Sequence, residues 1–363
     1  MSTLGIIGAG LMGRMFGLEM AERGWQVTLF DKDSENVPDS VSSASAGMIA
    51  PSCELESAER DIAVLGSVAL ERWPGLVERL GPSVDYHQDG SIVVAHPRDR
   101  RELERLRDRI LSKSPNPEFT RELTADEIRE LEPEINPQFR SGLFMTFEAH
   151  VDNREVLKAA AARLVDLKAQ FRWQTEVTGI EPGRIEAGGE TRRFDWVADC
   201  RGMGARVDMK NLRGVRGELA YVQAPEVHLG RPVRLMHPRY PIYIVPRKDN
   251  VFVIGATALE SEDYSPISLR SAMELMSAAY TVHTGFAEAR ILETLTNCRP
   301  ALPDNRPRIQ VQPGLLSING LYRHGFLLSP VLSEFAAEYV EQGTIASGAE
   351  PVIVEEGKKK TTE

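Results

Sequence analysis

The sequence has 363 residues, 42% hydrophobic and 26% charged, which is ordinary for a soluble globular protein and long enough for two domains. Its formal charge of −10 argues against a nucleic-acid partner, because an acidic surface repels phosphate backbones. No apolar run approaches the ~20 residues that cross a bilayer and no signal peptide is recognisable, so a cytoplasmic protein without a membrane span is predicted.

The first thirty residues predict a strand, a tight turn, a helix and a second strand. Leu4–Ile7 is a short apolar run, and the glycine-rich segment Gly8–Gly13 follows it. Apolar residues then recur at helical spacing up to Gly24, which is a stop signal. Trp25–Phe30 is rich in β-forming residues and ends at Asp31. This order is typical of a βαβ unit.

The rest of the chain alternates between helical and extended patterns, after a polar loop predicted over residues 34–45. Helices are predicted over Glu59–Leu80, Arg98–Leu111, Thr124–Leu131, Asn153–Leu167, Arg270–Tyr280 and Leu332–Gln342. Strands are predicted over Val84–His96, Arg172–Ile180, Phe194–Cys200, Gly214–Gln223, Tyr240–Pro246, Val251–Ala256 and Leu315–Asn319. The end of the chain, residues 346–363, is predicted to be a disordered tail.

The three cysteines are Cys53, Cys200 and Cys298. Their number is odd, they are far apart, and none belongs to a CxxC pair. This usage predicts reduced thiols in the core and a reducing compartment, and it predicts no metal site.

The glycine turn has the pattern GxGxxG, formed by Gly8, Gly10 and Gly13, between a strand and a helix. The first glycine permits the tight turn, the second lets the backbone approach a pyrophosphate, and the third allows close helix–strand packing. The helix amino terminus offers free N–H groups to phosphates. Asp31 ends the second strand, where an acid binds ribose hydroxyls and disfavours NADP. The pattern predicts dinucleotide binding but does not by itself distinguish FAD from NAD.

Five later segments resemble the D-amino acid oxidase family, and most closely its glycine oxidases of the ThiO type. Ser42–Pro51 resembles the family's second flavin-binding segment. Two paired strand segments, Tyr243–Arg247 and Val253–Thr257, resemble its substrate domain. Cys298–Asp304 resembles its Arg-Pro segment, and Gly320–Pro330 resembles its last flavin-contacting turn. These segments follow the family's order along nearly the whole chain.

The resemblance implies FAD as the cofactor and an α/β fold. A Rossmann-like FAD-binding domain (residues 1–80, 145–210 and 296–345) is expected to interleave with an antiparallel-sheet α+β substrate domain (residues 81–144 and 211–295). The implied cofactor-binding residues are Gly8, Gly10, Leu11, Met12, Gly13, Asp31, Lys32, Ser42, Ser43, Ala46, Gly47, Met48, Val177, Gly202, Arg323, His324, Gly325, Phe326 and Leu327.

Three residues are implied to act on the substrate. Arg299 matches the arginine that holds the substrate carboxylate, a task suited to the guanidinium fork. Tyr243 matches a tyrosine that closes the pocket, and Arg323 matches a second arginine beside the flavin. The sequence departs from the family pattern at Leu321 and His324, where the family has histidine and often asparagine, and at Arg201, which stands where a small residue is usual and could touch phosphate or ribose.

The implied reaction is oxidation of a small amino acid or related amine. A hydride passes from the substrate Cα to N5 of the flavin, an imine forms, and oxygen reoxidises the flavin to give H2O2. Two alternatives remain open: a modifying flavoprotein that oxidises a side chain of a partner protein, and an amino acid dehydrogenase linked to a quinone. The sequence also leaves open whether the chain forms a homo-oligomer.

Overall fold

The computed structural model describes residues 1–35 and 40–355, so the predicted loop over residues 34–45 lies partly outside the described residues. Within these ranges the chain forms eight α-helices and 21 strands. The helices are α1 (Leu11–Glu22), α2 (Pro51–Glu54), α3 (Arg60–Leu80), α4 (Arg100–Lys113), α5 (Ala125–Leu131), α6 (Asn153–Asp166), α7 (Leu269–Val282) and α8 (Gly325–Gln342). The first strands are β1 (Thr3–Ile7), β2 (Gln26–Phe30), β3 (Met48–Ile49), β4 (Tyr86–His87), β5 (Ser91–Ala95), β6 (Thr120–Thr124), β7 (Ser141–Met145), β8 (Ala149–Val151), β9 (Gln170–Arg172) and β10 (Val177–Glu181). The later strands are β11 (Arg184–Ala187), β12 (Glu190–Arg193), β13 (Trp196–Asp199), β14 (Arg213–Gln223), β15 (Val233–Met236), β16 (Ile242–Pro246), β17 (Val251–Gly255), β18 (Arg290–Ala301), β19 (Arg308–Gln312), β20 (Leu315–Asn319) and β21 (Ile353–Glu355).

Seven of these strands form one sheet in the order β21-β19-β20-β13-β1-β2-β9. Strand β1 lies between β13 and β2 and is parallel to both. Parallel neighbours need a crossover connection, and α1 provides it between β1 and β2 before packing against α6 and α8. The carboxyl ends of β1, β2 and β13 therefore meet at one edge, which is where such sheets bind ligands.

The second sheet has eight strands in the order β18-β14-β17-β16-β15-β5-β7-β6. Its pairs are antiparallel except for β5 and β15, which run parallel. Helix α7 packs on β16 and β17, and Ile244, Ile254 and Leu275 belong to the apolar core formed there. Two small sheets, β10-β11-β12 and β3-β8-β4, complete the fold. The mixed α/β architecture agrees with the predicted fold class.

Strand β18 runs across one of the predicted domain boundaries. It pairs with β14 from Arg290 to Ala301, so the expected division between residues 295 and 296 falls inside a single strand. The chain leaves the second sheet only after Ala301, and the Arg299 side chain therefore projects from the second sheet.

The prediction of a disordered tail is wrong for residues 346–355. Strand β21 runs parallel to β19 and extends the first sheet at its edge. Ala349 and Val352 are 0% and 1% exposed, and both belong to the core of that sheet. A few apolar residues thus suffice to fix this segment, while residues 356–363 lie outside the described part of the chain.

Two further elements differ from the sequence-based expectation. Helix α8 begins at Gly325 and not at Leu332, because Pro330 is tolerated inside it: the Ser329 hydroxyl donates at 3.4 Å to the Phe326 carbonyl that Pro330 cannot bond. The strand predicted over Arg172–Ile180 is divided into β9 and β10, since Gln174 between them has a φ of 52°, which a strand does not allow.

Among residues 1–35 and 40–355, no helix combines the length and apolar character needed to cross a bilayer. Cys53, Cys200 and Cys298 are buried and form no disulfide. No group of three or more His, Cys, Asp or Glu side chains in the same ranges is arranged to hold a metal ion.

Candidate active site

A cavity of about 480 Å³ is lined by both large sheets. The first sheet contributes the carboxyl ends of β1, β2 and β13, and the second contributes Leu219, Tyr243 and Arg299. The predicted site residues that line it are Gly8, Gly10, Leu11, Met12, Asp31, Lys32, Ser42, Ala46, Met48, Val177, Gly202, Tyr243, Arg299, Arg323, Gly325, Phe326 and Leu327. Residues far apart in the sequence therefore meet around one space.

The glycine turn between β1 and α1 forms one wall of the cavity. Gly8 has a φ of 94°, and a Cβ on it would lie 2.6 Å from the carbonyl oxygen of Cys200. A Cβ on Gly13 would overlap the carbonyl oxygen of Gly8. A Cβ on Gly10 would meet nothing closer than Ser42 Oγ, at 3.7 Å. Gly8 and Gly13 are thus required by the fold, whereas Gly10 keeps the cavity open.

Asp31 ties the turn to the end of β2. Its Oδ2 accepts a hydrogen bond from the Ala9 N–H at 2.6 Å, and its Oδ1 accepts one from the Asp33 N–H at 3.0 Å. The carboxylate is thereby held at the cavity wall, at the end of the strand where the sequence pattern expects a ribose ligand.

The small-residue segment 42–48 is held in place by hydrogen bonds of three polar side chains, one of which joins it to α1. The amide of buried Asn153 donates to the carbonyl oxygens of Ser42 and Ser43, at 2.9 and 3.0 Å. Ser42 Oγ accepts from the first N–H of α1 at 3.1 Å. Arg247 Nη2 donates to the Ala46 carbonyl at 2.7 Å. These bonds fix a stretch that its own small side chains would leave loose.

Four residues predicted to bind the cofactor do not line the cavity: Gly13, Ser43, Gly47 and His324. The Gly47 carbonyl accepts from the Val151 N–H at 2.9 Å, which directs it into the fold. His324 is 2% exposed and precedes the first residue of α8. Its ring is buried outside the cavity lining, with Nδ1 3.3 Å from the carboxylate of the cavity residue Glu54.

Arg299 lies on β18 and is partly buried. Its Nη1 donates to the Thr257 carbonyl at 3.0 Å, and its guanidinium covers Gly217, where a Cβ would overlap it. Burial, together with the charge of Arg323, lowers the pKa of Arg299 to about 10. The group remains cationic at neutral pH, so an anionic ligand is the partner that suits it best.

The Tyr243 hydroxyl stands between two arginines. It accepts from Arg234 Nη1 at 2.8 Å and from Arg323 Nη2 at 2.7 Å. Glu54 Oε1 is 3.4 Å away. Burial raises the pKa of Tyr243, so its proton is retained at neutral pH.

Glu54 is a buried carboxylate that the sequence reading did not identify. Its Oε2 lies 3.3 Å from His324 Nδ1 and 3.7 Å from Arg323 Nε. Burial alone would raise the pKa of Glu54, but the Arg323, His324 and Arg234 charges together lower it well below its usual range. The ionised carboxylate therefore offsets part of the positive charge at this end of the cavity.

Tyr264 also lines the cavity without having been predicted. It belongs to the connection between β17 and α7, where no periodic pattern marks it. Buried Arg216 holds this connection, because its guanidinium donates to the carbonyl oxygens of Asp263 and Pro266, at 2.5 and 3.0 Å. Arg216 is in turn paired with buried Glu218 at 2.7 Å.

Arg201 lines the cavity but is neutralised by two acids. Its Nη2 lies 2.7 Å from Asp199 Oδ2 and 2.5 Å from Asp208 Oδ2. Burial opposes the charged form, yet the two carboxylates raise the pKa of Arg201 above its usual value. Its charge is balanced within the protein, so a ligand phosphate is not needed to explain it.

Glu148 lies beneath the site and makes the stability of the fold depend on pH. It accepts from the Cys53 N–H at 2.8 Å and from the Ser91 hydroxyl at 2.5 Å, and burial raises its pKa from 4.5 to about 7. The folded chain keeps this proton where the unfolded chain has lost it, so stability falls as pH rises from about 4.5 to 7. Between pH 5 and pH 8, the free energy of unfolding of the wild type should fall by about 2 to 3 kcal/mol more than that of Glu148→Gln. Urea unfolding at the two pH values measures both. An unchanged difference between the two pH values would contradict the assignment.

The residues around the cavity fit an anionic dinucleotide. Helices α1 and α8 both begin at its wall, and neither has an acidic residue in its first turn or a cap from its own N-cap side chain, although Ser42 Oγ occupies the first N–H of α1. Their positive ends are therefore available to phosphate or carbonyl oxygens. Gly10 leaves room beside α1, and Val177, one of the predicted cofactor-binding residues, lines the same space.

Comparison with known proteins agrees with this fit. The family model DAO, described as FAD dependent oxidoreductase, matches residues 4–339. The chain is 42% identical over 342 residues to a Rhizobium etli protein whose name assigns it, provisionally, to thiamine biosynthesis as the oxidoreductase ThiO; the match covers 93% of this chain and 96% of that protein. It is 26% identical over 364 residues to glycine oxidase of Geobacillus kaustophilus, covering 95% and 94% of the two chains.

Solved structures share the fold. The crystal structure of glycine oxidase from Geobacillus kaustophilus superimposes with a TM-score of 0.84 at 23% identity, over 99% of this chain and 100% of that one. Iminodiacetate oxidase from Chelativorans sp. BNC1 gives a TM-score of 0.84 at 24% identity, over 97% and 99%. Together with the match along nearly the whole sequence, this identifies the chain as a member of the FAD dependent oxidoreductase family, with FAD as its cofactor.

Proposed function

We propose that this protein oxidises the amino group of a small amino acid, in the manner of a glycine oxidase, with O2 as the electron acceptor. The observation that supports this most directly is a single cavity reaching from the glycine turn and Asp31 to the partly buried cations Arg299 and Arg323. Relatives named as glycine oxidase and ThiO match over most of their length.

The chain supplies binding and orientation. Arg299 binds the substrate carboxylate, since it is cationic and donates one of the five N–H groups of its guanidinium to the Thr257 carbonyl, while the guanidinium fork suits a carboxylate. Tyr243 closes the pocket beside that carboxylate. When bound, FAD supplies the acceptor for the hydride of the substrate Cα, and water hydrolyses the resulting imine. His324 is no base in this scheme, because it does not line the cavity.

The pocket favours a substrate with one negative charge. Glu54 lines the cavity as an ionised carboxylate, so a second acidic group on the ligand would be repelled there. The amino group of the substrate, by contrast, would find an anionic neighbour. A small amino acid such as glycine satisfies both conditions.

Anaerobic mixing of the flavin-loaded protein with glycine, sarcosine and D-amino acids tests the proposal. Glycine or another member of this panel is expected to bleach the yellow flavin absorbance, and air should then yield H2O2, with glyoxylate as the product from glycine. Absence of bleaching by every free amino acid would contradict the proposal and favour a protein side chain as substrate. Bleaching that air does not reverse would favour a quinone-linked dehydrogenase.

A further inference from the structure

Arg234 lies behind the substrate end of the cavity and is 2% exposed. It stands on β15 directly opposite Tyr243 on the antiparallel strand β16, and it does not line the cavity. Burying a guanidinium is costly unless its partners compensate for the lost water. The identity of those partners therefore indicates what the residue does.

The partners of Arg234 are Tyr243, which lines the cavity, and Cys53 and Glu56, which flank the cavity residue Glu54 in the sequence. Its Nη1 donates to the Tyr243 hydroxyl at 2.8 Å and to the Cys53 carbonyl at 3.3 Å. Its Nη2 pairs with Glu56. Its guanidinium carbon lies 4.7 Å from the centre of the Tyr243 ring, within the range of a cation–π contact. Arg234 thus fixes both the ring and the hydroxyl of Tyr243.

The hydrogen bonds of the Tyr243 hydroxyl determine where its proton points. A phenol oxygen has two lone pairs that accept and one O–H that donates. Arg234 and Arg323 occupy the acceptor sites, at 2.8 and 2.7 Å. With both lone pairs in use, the hydroxyl can interact with a further group only by donating its O–H. The acceptor of that O–H within the protein, Glu54 Oε1, is 3.4 Å away. A ligand carboxylate at about 2.5 to 2.7 Å would be a stronger acceptor than the Glu54 carboxylate, because 3.4 Å is long for a charge-assisted O–H···O bond.

We propose that Arg234 is a positioning residue that, together with Arg323, commits the Tyr243 hydroxyl to donate its hydrogen bond to the substrate carboxylate. The inference rests on the proposed function, which is what puts a carboxylate beside Tyr243. Arg234 never touches the ligand: it removes the alternative orientations of the hydroxyl before the ligand arrives. Preorganisation of this kind lowers the cost of binding.

The test uses the FAD-loaded protein and two ligands. Acetate, which lacks an amine, reports carboxylate binding through the visible flavin spectrum, and glycine reports turnover. Arg234→Met should raise the Kd of acetate and the KM of glycine about tenfold, with kcat within about twofold of wild type because no reacting group is removed. Arg234→Lys, which keeps one cationic donor, should recover part of the loss.

A double-mutant cycle separates this role from a merely structural one. In a Tyr243→Phe background, Arg234→Met should add no further increase in the Kd of acetate, because the hydroxyl is already absent. Additive effects, or a change in melting temperature with an unchanged Kd, would overturn the inference. If Arg234→Met does not fold because Glu56 is left alone, Arg234→Met/Glu56→Gln removes both charges and permits the same measurement.

The outcomes for this inference and for the proposed function are distinct. Wild-type protein that responds to neither acetate nor glycine would overturn the proposed function, and this inference with it. Wild-type binding of acetate that Arg234→Met leaves unchanged would overturn only the inference.

Discussion

Arg299→Ala is expected to lower kcat/KM for glycine by about 10² to 10³, mostly through a higher KM. The substitution removes the cation that we assign to the substrate carboxylate, and truncating one partner of a buried charge pair typically costs about 2 to 5 kcal/mol. The Kd of acetate should rise in parallel. Steady-state kinetics and titration of the flavin spectrum measure the two quantities independently.

Two further variants test whether the effect of Arg299→Ala comes from losing the guanidinium at this position. Arg299→Lys keeps the charge but loses the planar fork, so an intermediate effect is expected. Arg72→Ala removes an exposed arginine paired with Glu334 at 3.0 Å, on α3 and α8, and should leave both constants unchanged. A KM for Arg299→Ala within about twofold of wild type would show that the carboxylate is bound elsewhere.

Gly13→Ala is expected to yield protein without FAD. The added methyl group would overlap the Gly8 carbonyl oxygen, so the turn between β1 and α1 must move away from the position that serves the cofactor. The loss of FAD affinity should exceed about 100-fold, since more than 2.7 kcal/mol is a modest estimate for forcing backbone atoms apart in a packed turn. The ratio of absorbance at 450 and 280 nm, and fluorescence titration of the apoprotein with FAD, measure the effect.

Gly75→Ala is the matched control, because Gly75 lies within helix α3 and a Cβ there meets no atom within 4 Å. It should retain FAD and gain about 0.5 to 1 kcal/mol of stability from the helix. If Gly13→Ala fails to fold, Gly10→Ala replaces it: its methyl group has room within the protein but enters the cavity. Full FAD content in both Gly10→Ala and Gly13→Ala would refute the assignment of the turn.

The opening βαβ unit could be predicted because its signals are local. Glycine spacing, apolar periodicity and a terminal acid all lie within about thirty residues. Strand β15 was missed for the opposite reason: buried Arg234 interrupts a run of four residues that would otherwise look like a strand. Strand β18 begins with three exposed residues, so the alternation that marks a half-buried strand is absent from its first half.

In the candidate site, too, some residues could be predicted from the sequence and others could not. Arg299, Tyr243 and Arg323 could be located because they lie within segments that resemble the family. Glu54 and Arg234 could not, since single Glu and Arg residues are usually solvated and their burial depends on partners distant in sequence. Arg234 pairs with Glu56 across 178 positions, a contact that no local pattern encodes.

The strand order of the first sheet has a consequence for how the protein is made. Strand β1 is synthesised long before its partner β13, which begins almost two hundred residues later, with Thr3 bonded to Asp195 at a separation of 192 positions. Strand β20 follows later still, and β21 joins the edge only when residues 353–355 have been synthesised. One edge of β1 therefore stays unpaired until β13 has been synthesised, and an open sheet edge can pair with another chain. The cofactor turn can then acquire Cys200 as a neighbour only after almost two hundred further residues have emerged.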